Sequence, residues 1–212
     1  MNIILLLILL FGAVLLYANW RHRSRRTFLS QYQVPDAVVD RFRQKHSTLS
    51  GAQEVLVCEA LQQYFLICQR ARGKFVSMPS QVVDDLWHDF ILFTRHYRDF
   101  CDKAFGRFLH HTPVEAMSTP TLATAGIRRT WFHACRIEGI DPKNPSRLPL
   151  LFALDAQLGI ANGFFYTLNC ANTATSSNNT FCASSIGCGG SDSGCGGDGG
   201  SSCGGSCGGG GD

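Results

Sequence analysis

The chain has 212 residues, with 19 lysines and arginines against 16 aspartates and glutamates and a formal net charge of +3. This length suits one domain with appendages. All the basic residues lie at or before Arg147, so the first 150 residues carry nineteen basic and twelve acidic residues, a net charge of +7. Such a body favours anionic partners. The sequence contains no phosphate-binding loop, Gly-x-Ser-x-Gly, His-Glu-x-x-His or nucleic-acid-binding motif, so it names no reaction and nucleic acid is not an expected partner.

The first predicted element is a transmembrane helix over residues 1–20. The apolar run from Ile3 to Ala18 spans about 25 Å as a helix, close to a hydrocarbon core of about 30 Å. Tyr17 and Trp20 stand where interfacial aromatic residues are expected, and basic residues follow at once. We therefore expect residues 2–18 to contact the lipid bilayer, with anionic headgroups near a basic cluster formed by Arg21, Arg23, Arg25 and Arg26.

The charges around this run predict a single-pass topology. No basic residue precedes the run, whereas a secretory signal peptide carries positive charge before its apolar stretch. The positive-inside rule therefore places the amino terminus outside and everything after Arg21 in the cytoplasm. The alternative is a signal peptide cleaved after Ala18, although Leu16 matches a cleavage site poorly because small residues are preferred there.

Helical periodicity predicts an all-α fold, a small bundle of at most five helices over residues 36–158. Ser50 and Gln53 form a capping-box pattern, and several glycines stand where helices should end. No alternating strand pattern is evident. The predicted helices are Asp36–His46, a second from Ser50 to about Arg72, a central helix between Pro79 and Gly106, a fourth between Thr119 and Gly139, and a short one from Leu150 to Leu158.

The central helix has an apolar side and a polar side. Spacing of 100° per residue predicts that the apolar side faces the core with Leu86, Phe90, Phe93, Tyr97, Phe100, Cys101 and Ala104. Trp87 is also expected to be buried, because a large aromatic side chain is usually part of the core. The polar side carries Asp84, His88, Arg95, Asp99 and Asp102. Because Ile91 and Leu92 share the polar sector, we expect that sector to be partly buried and its polar groups to need partners.

These residues carry a resemblance to a known family. Asp84-x-x-Trp87-His88, followed by Ile91-Leu92, Thr94, Tyr97 and Cys101, resembles the conserved region of the glycine-rich domain-containing protein family, over roughly residues 50 to 140. Plant members commonly have Trp-His-x-His, whereas Phe90 replaces the second histidine here. No chemistry is settled for that family, so the resemblance implies a binding or scaffolding module, with an unidentified protein partner, rather than a particular enzyme. The predicted transmembrane helix would anchor this module to the membrane. The motif and its neighbourhood comprise Asp84, Trp87, His88, Arg95, Tyr97, Cys101, His110 and His111.

A metal site is the alternative reading of the polar residues. Asp84 and His88 are four residues apart, so their side chains meet on one face of a helix. His110 and His111 follow the helix, and a returning loop would bring one of them to this face. One carboxylate with two or three imidazoles suits Zn, Fe or Mn, which predicts a metal-dependent enzyme. The simpler interpretation is a polar network, in which Asp84 favours the positive end of the helix and His88 bonds a loop.

The carboxyl-terminal residues have low complexity. Residues 187–212 contain fourteen glycines and almost no apolar residues, so this tail is predicted to be disordered. Its cysteines and the preceding Cys182 lack the spacing of a zinc ribbon. In the cytoplasm these cysteines would be thiols that buffer soft metal ions, whereas outside the cell they would form disulfides. The predicted organisation is a transmembrane helix (1–20), a basic juxtamembrane connector (21–35), a helical domain (36–158), a polar linker (159–186) and the tail (187–212).

Overall fold

The computed structural model describes residues 2–111, 120–168, 180–183 and 186. Their secondary structure is predominantly helical, which confirms the predicted fold class. Three-residue strands are the only β structure among these residues. The elements are α1 Asn2–Gln31, α2 Asp36–Lys45, α3 Gly51–Arg70, α4 Gln81–Leu92, α5 Thr94–Ala104, α6 Pro120–Ile137, α7 Leu150–Leu158, β1 Phe165–Thr167 and β2 Thr180–Cys182.

Helix α1 is one continuous helix of 30 residues. It is long and apolar enough to cross a membrane, and its most apolar 18-residue stretch is not buried in the protein. A signal sequence near an amino terminus can have the same length and composition. The helix continues through most of the predicted connector, residues 21–35, and stops four residues before Pro35. This differs from the prediction because no glycine or proline interrupts the chain between Gly12 and Pro35.

The last turns of α1 belong to the core of the domain. Leu29 is fully buried, and the rings of Phe28 and Tyr32 lie 6.1 and 4.4 Å from the ring of Phe100 on α5. The same helix therefore starts as an exposed apolar rod and ends as a core helix. Its two parts have no flexible link between them.

Helices α1 and α3 run antiparallel, and side-chain amides hold them in register. The Gln62 amide donates to the carbonyl oxygens of Leu29 and Tyr32 at 2.9 and 3.2 Å. About two turns further along α3, the side-chain amide of Gln69 donates to the carbonyl oxygen of His22 at 3.3 Å. The end of α3 therefore lies at the end of the domain nearest to Trp20, which we call the basal end.

The predicted central helix is two helices. The chain turns at Phe93, which has φ −82° and ψ 61°, so the prediction of one helix from Pro79 to Gly106 is wrong. In a straight helix, Phe90 and Phe100 would be about 15 Å apart along the axis. Their rings are instead 5.3 Å apart, and the Tyr97 ring is 5.2 Å from that of Phe90. Packing both apolar faces into one core outweighs the helical hydrogen bonds lost at the turn.

The predicted core is largely correct. Trp87 is 3% exposed and Cys101 is fully buried. Leu92, which was expected to draw the polar sector inward, is instead 58% exposed, because the chain turns immediately after it. The capping box at Ser50 and Gln53 is present in both directions, as predicted.

Helix α6 fixes the loop between α3 and α4. The Thr130 hydroxyl donates to the carbonyl oxygen of Ser77 at 2.7 Å. A Cβ atom on Gly126 would lie 2.3 Å from the Ser77 hydroxyl oxygen and 2.7 Å from the Phe75 ring, so only glycine allows this close approach. Helix α7 packs against α6 through the rings of Trp131 and Phe152, whose centroids are 5.0 Å apart.

The domain extends beyond the predicted boundary at residue 158. Strands β1 and β2 pair in parallel, with Tyr166 opposite Phe181. Tyr166 packs on Phe152 and Ala183 is fully buried, so part of the predicted polar linker, 159–186, completes the core. Strands of three residues are too short to show an alternating pattern in the sequence. The predicted disorder of residues 187–212 concerns residues outside the described ranges.

Cys182, at the end of β2, is disulfide-bonded.

Candidate metal centre

Asp84, His88 and His111 converge at one point on the surface of the domain. Asp84 lies in the first turn of α4, and His88 follows one turn later. His111 returns to them from the segment after α5, and its Nε2 atom lies 2.9 Å from Asp84 Oδ1. His88 Nδ1 lies 3.7 Å from Asp84 Oδ2, and the two imidazole rings are 4.2 Å apart. The local spacing predicted the first pair, and the returning loop was expected to bring the third residue.

This group has the composition and size of a transition-metal site. One ligand atom from each residue lies within 4.8 Å of the other two. Two nitrogen ligands of a tetrahedral zinc ion, each about 2.0–2.1 Å from the metal, are about 3.3 Å apart. A small side-chain rotation would close the difference, and the His88 side chain is 47% exposed and free to make it. Three protein ligands leave a fourth position open.

A chain of buried hydrogen bonds positions His111. Trp87 Nε1 donates to the Tyr97 hydroxyl at 3.1 Å, and this hydroxyl donates to the carbonyl oxygen of Leu109 at 2.6 Å. The Leu109 backbone also bonds the thiol of Cys101. Two residues later, the His111 ring packs edge-on against Trp87 at 4.7 Å. Three of the motif residues thus hold the loop that supplies the third ligand.

Tyr97 and Cys101 remain neutral at physiological pH. Burial raises the pKa of the Tyr97 hydroxyl, and the neighbouring Cys101 raises it further. Burial likewise raises the pKa of Cys101, so this residue carries a thiol rather than a thiolate. A protonated Tyr97 is what the hydrogen bond to Leu109 requires. Both residues therefore act as structural anchors of the loop.

Two of the predicted site residues are not part of this group. His110 is exposed, and its ring packs on Phe108 at 4.9 Å, so it is not one of the three residues whose ligand atoms converge. Arg95 is exposed on α5, because the turn at Phe93 rotates that helix away from Asp84. The polar side expected for one long helix is therefore divided. The choice left open between the two later histidines falls on His111.

The group lies on the wall of a cavity of about 530 Å³. The loop between α3 and α4 forms one side of this cavity, and the segment after α5 forms the other. Polar and apolar side chains both contribute, which is typical of a site for a small molecule. Beside the three candidate ligands and Trp87, the lining includes Lys74, Phe75, Met78, Arg107, Leu109, His110 and Phe164.

Asp155 is a buried residue that sequence analysis did not identify as important. It lies on α7 and is 1% exposed. Its carboxylate accepts hydrogen bonds from the Ser80 hydroxyl and the backbone N–H of Gln81, both at 2.7 Å, and from the backbone N–H groups of Val82 and Phe164 at 3.3 and 2.8 Å. It therefore caps α4 from another helix and orients the turn that carries Asp84. No local pattern reveals a cap that lies more than seventy positions away in the sequence.

The other acidic residues of α4 bind α2 rather than the cavity. Asp85 Oδ2 lies 3.0 Å from His46 Nε2. The fully buried Asp89 accepts from Arg41 at 2.8 Å and from Lys45 at 2.5 Å. These pairs fix α4 between α2 and the core. Of the three aspartates in this part of α4, Asp84 alone lines the cavity.

Comparison with known proteins identifies one family. The pattern of the UCP032817-like family matches residues 24–186 of the chain. The comparison with curated proteins found no match, and neither did the comparison with solved structures. The match begins within α1, just before the turns that enter the core, and ends at Ile186, which packs against that core. The family region therefore coincides with the folded domain, including the end of α1.

Proposed function

The chain belongs to the UCP032817-like family, and we propose that it is a membrane-anchored helical binding module that holds one divalent transition-metal ion. Asp84, His88 and His111 are the proposed ligands, and zinc is the first candidate because it accepts imidazole and carboxylate ligands in a tetrahedral site. The anchor is α1. The basic cluster after Trp20 supports a cytoplasmic location for the domain and contact with anionic headgroups.

The observation that carries the proposal is the convergence of three ligand atoms within 4.8 Å. The hydrogen bonds that end at Leu109 determine where the loop runs, so the position of His111 does not depend on the metal alone. The Asp84 and His111 side chains are only 19% and 13% exposed, so a bound ion would be partly shielded from water. A site formed before the metal arrives loses little conformational freedom on binding.

A metal-dependent enzyme is the second candidate. Catalytic zinc sites commonly have three protein ligands and one position for water, whereas structural sites have four protein ligands. The proposed ligands number three, and they adjoin the cavity of about 530 Å³. We favour a binding or scaffolding role of the glycine-rich domain type over catalysis, because no described side chain beyond these ligands identifies a reaction.

Metal analysis of purified protein tests the proposal. We expect the full chain, and a chain ending at residue 186, each to retain about one zinc ion per molecule after dialysis. His111→Ala should lower the zinc affinity at least about tenfold. His110→Ala is the matched control, because this neighbouring imidazole faces Phe108, and its zinc affinity should equal that of the wild type.

Each contrary result has a distinct meaning. Zinc that is lost with residues 187–212 and kept in His111→Ala would indicate metal buffering by the tail cysteines and overturn the site. Absence of zinc, iron and manganese from both chain lengths would leave a scaffolding module without a metal. The deletion starts after Ile186 because Ala183 and Ile186 pack in or against the core.

A further inference from the structure

The two loops that form the cavity both start at the basal end of the domain. The loop from residue 71 follows α3, whose last turn is bonded to the backbone of His22 through Gln69. The segment from residue 105 follows α5, and the guanidinium group of Arg25 lies directly over Gly106 at the start of that segment. The cavity wall is therefore joined to α1 a few residues beyond Trp20.

The height of this end above a bilayer follows from the helix geometry. With a rise of about 1.5 Å per residue, His22 lies about 3 Å and Arg25 about 8 Å beyond Trp20 along α1. A lipid headgroup layer is about 5–8 Å thick on each side of the hydrocarbon core. Because α1 has no break between Trp20 and Arg25, the domain has a set height. The exposed cavity residues Gly73, Lys74 and Arg107 therefore lie near headgroup level.

Two cations line the cavity, and Asp84, the one acid among its described lining residues, lies beside His88 and His111 instead of either cation. These cations are Lys74 and Arg107, and among the described residues neither forms an ion pair. The two cations lie on opposite loops, and a guanidinium nitrogen of Arg107 would be 3.6 Å from a Cβ atom on Gly73. Nearby, burial and the charge of Arg26 lower the pKa of Arg70. An anion at this end of the domain would relieve the repulsion among these groups.

The remaining walls suit an amphiphile. Phe75, Met78, Leu109 and Phe164 line the same cavity as the two cations. A free phosphate ion has no apolar part to contact such a wall. A phospholipid presents a phosphate together with glycerol and acyl carbons, so it contacts both kinds of surface. A bilayer also supplies it at the height of the cavity mouth.

We propose that this cavity binds the phosphate of an anionic phospholipid from the same membrane, with Lys74 and Arg107 as the phosphate-binding side chains. The inference rests on the membrane anchor of the proposed function and names the ligand class of the same site. Arg107 supplies a planar fork of donors and Lys74 a point charge, the two usual ways of binding phosphate. The three proposed metal ligands line the same cavity.

The experiment uses the full chain in detergent micelles with short-chain phosphatidic acid as the probe. We expect saturable binding, measured by the change in tryptophan fluorescence, since Trp87 lines the cavity. The double variant K74A/R107A should weaken it at least about tenfold, because charge-assisted bonds to phosphate are lost. The matched control R95A/K103A removes two exposed cations of α5 that are not part of the cavity lining, and its affinity should stay within about twofold of the wild type.

The outcomes separate the sources of phosphate and the two proposals. If inorganic phosphate or phosphatidylcholine binds as tightly as phosphatidic acid, the choice of an anionic lipid is overturned. Binding unaffected in K74A/R107A would overturn the cavity as its location. Both cations are exposed, so equal thermal midpoints show that the double variant is folded. Zinc content is measured on the same samples. If the protein contains no zinc but still binds the lipid through these two cations, the lipid site is supported and the metal site is rejected.

Discussion

The Tyr97 hydroxyl donates a 2.6 Å hydrogen bond to the carbonyl oxygen of Leu109, and this bond joins α5 to the segment that carries His111. The hydroxyl also accepts the indole N–H of Trp87. One phenolic oxygen thus connects the core of the domain with the geometry of the candidate metal centre. A fully buried core residue therefore helps to position a candidate ligand at the surface.

Replacing Tyr97 with phenylalanine tests this relationship. The change leaves the Trp87 N–H and the Leu109 carbonyl without a partner, and each unpaired buried group costs about 1–3 kcal/mol. We expect the free energy of unfolding in urea to fall by about 2 kcal/mol or more. We also expect zinc affinity to fall about tenfold, as when groups that orient ligands are removed. Tyr17→Phe, at an exposed position of α1, is the control. Unchanged zinc affinity in Tyr97→Phe would separate the loop from the metal.

Asp155 should be among the most sensitive polar positions of the domain. Asp155→Ala leaves a hydroxyl and three backbone amides without their acceptor at the start of α4. At about 1–3 kcal/mol for each buried donor that finds no water, the loss should exceed about 2 kcal/mol. Asp99→Ala removes an exposed aspartate of α5 and should change stability by less than about 0.5 kcal/mol. Equal unfolding curves for the two variants would refute the capping role.

The stability of the domain should depend on pH through His133. Burial lowers the pKa of this imidazole, and the charges of Arg70, Arg136 and Arg129 lower it further. The unfolded chain therefore takes up this proton first as the pH falls below about 6.5, so stability falls there and is constant at higher pH.

The test compares wild type with His133→Gln in urea between pH 7.5 and 5. The wild type should lose more stability than the variant over this range, and added salt should reduce the difference by screening the arginines. Parallel curves at all pH values would show that His133 makes no such contribution.

The topology prediction weighs two opposing observations. By the positive-inside rule, the basic cluster after Trp20 predicts a cytoplasmic domain. The disulfide at Cys182 is instead the chemistry of an oxidising compartment. We expect the charge rule to decide the orientation, so an impermeant thiol reagent should not label Cys203 in intact cells and should label it after lysis under reducing conditions. Labelling in intact cells would place the domain outside. Neutral substitutions at the four arginines should weaken or invert the orientation.

Local features of the domain were readable from the sequence. The capping box at Ser50, the helix end before Gly106 and the meeting of Asp84 with His88 each involve residues at most a few positions apart. Their geometry follows from the helix repeat and from the φ that glycine permits, whatever the rest of the chain does. The apolar run of α1 is equally local, because its length and composition are enough to suit a membrane.

Tertiary packing decided what local rules left open. The turn at Phe93 exists because two aromatic faces bury more apolar surface in one core than on one straight helix. Asp155 caps α4 from a distance of more than seventy residues, and its partners exist only once α7 has packed. Tyr97 selects His111 over His110 by bonding the loop two residues earlier. Each of these contacts joins groups that are distant in the chain, and their free energy is gained only after the chain has closed the loops between them.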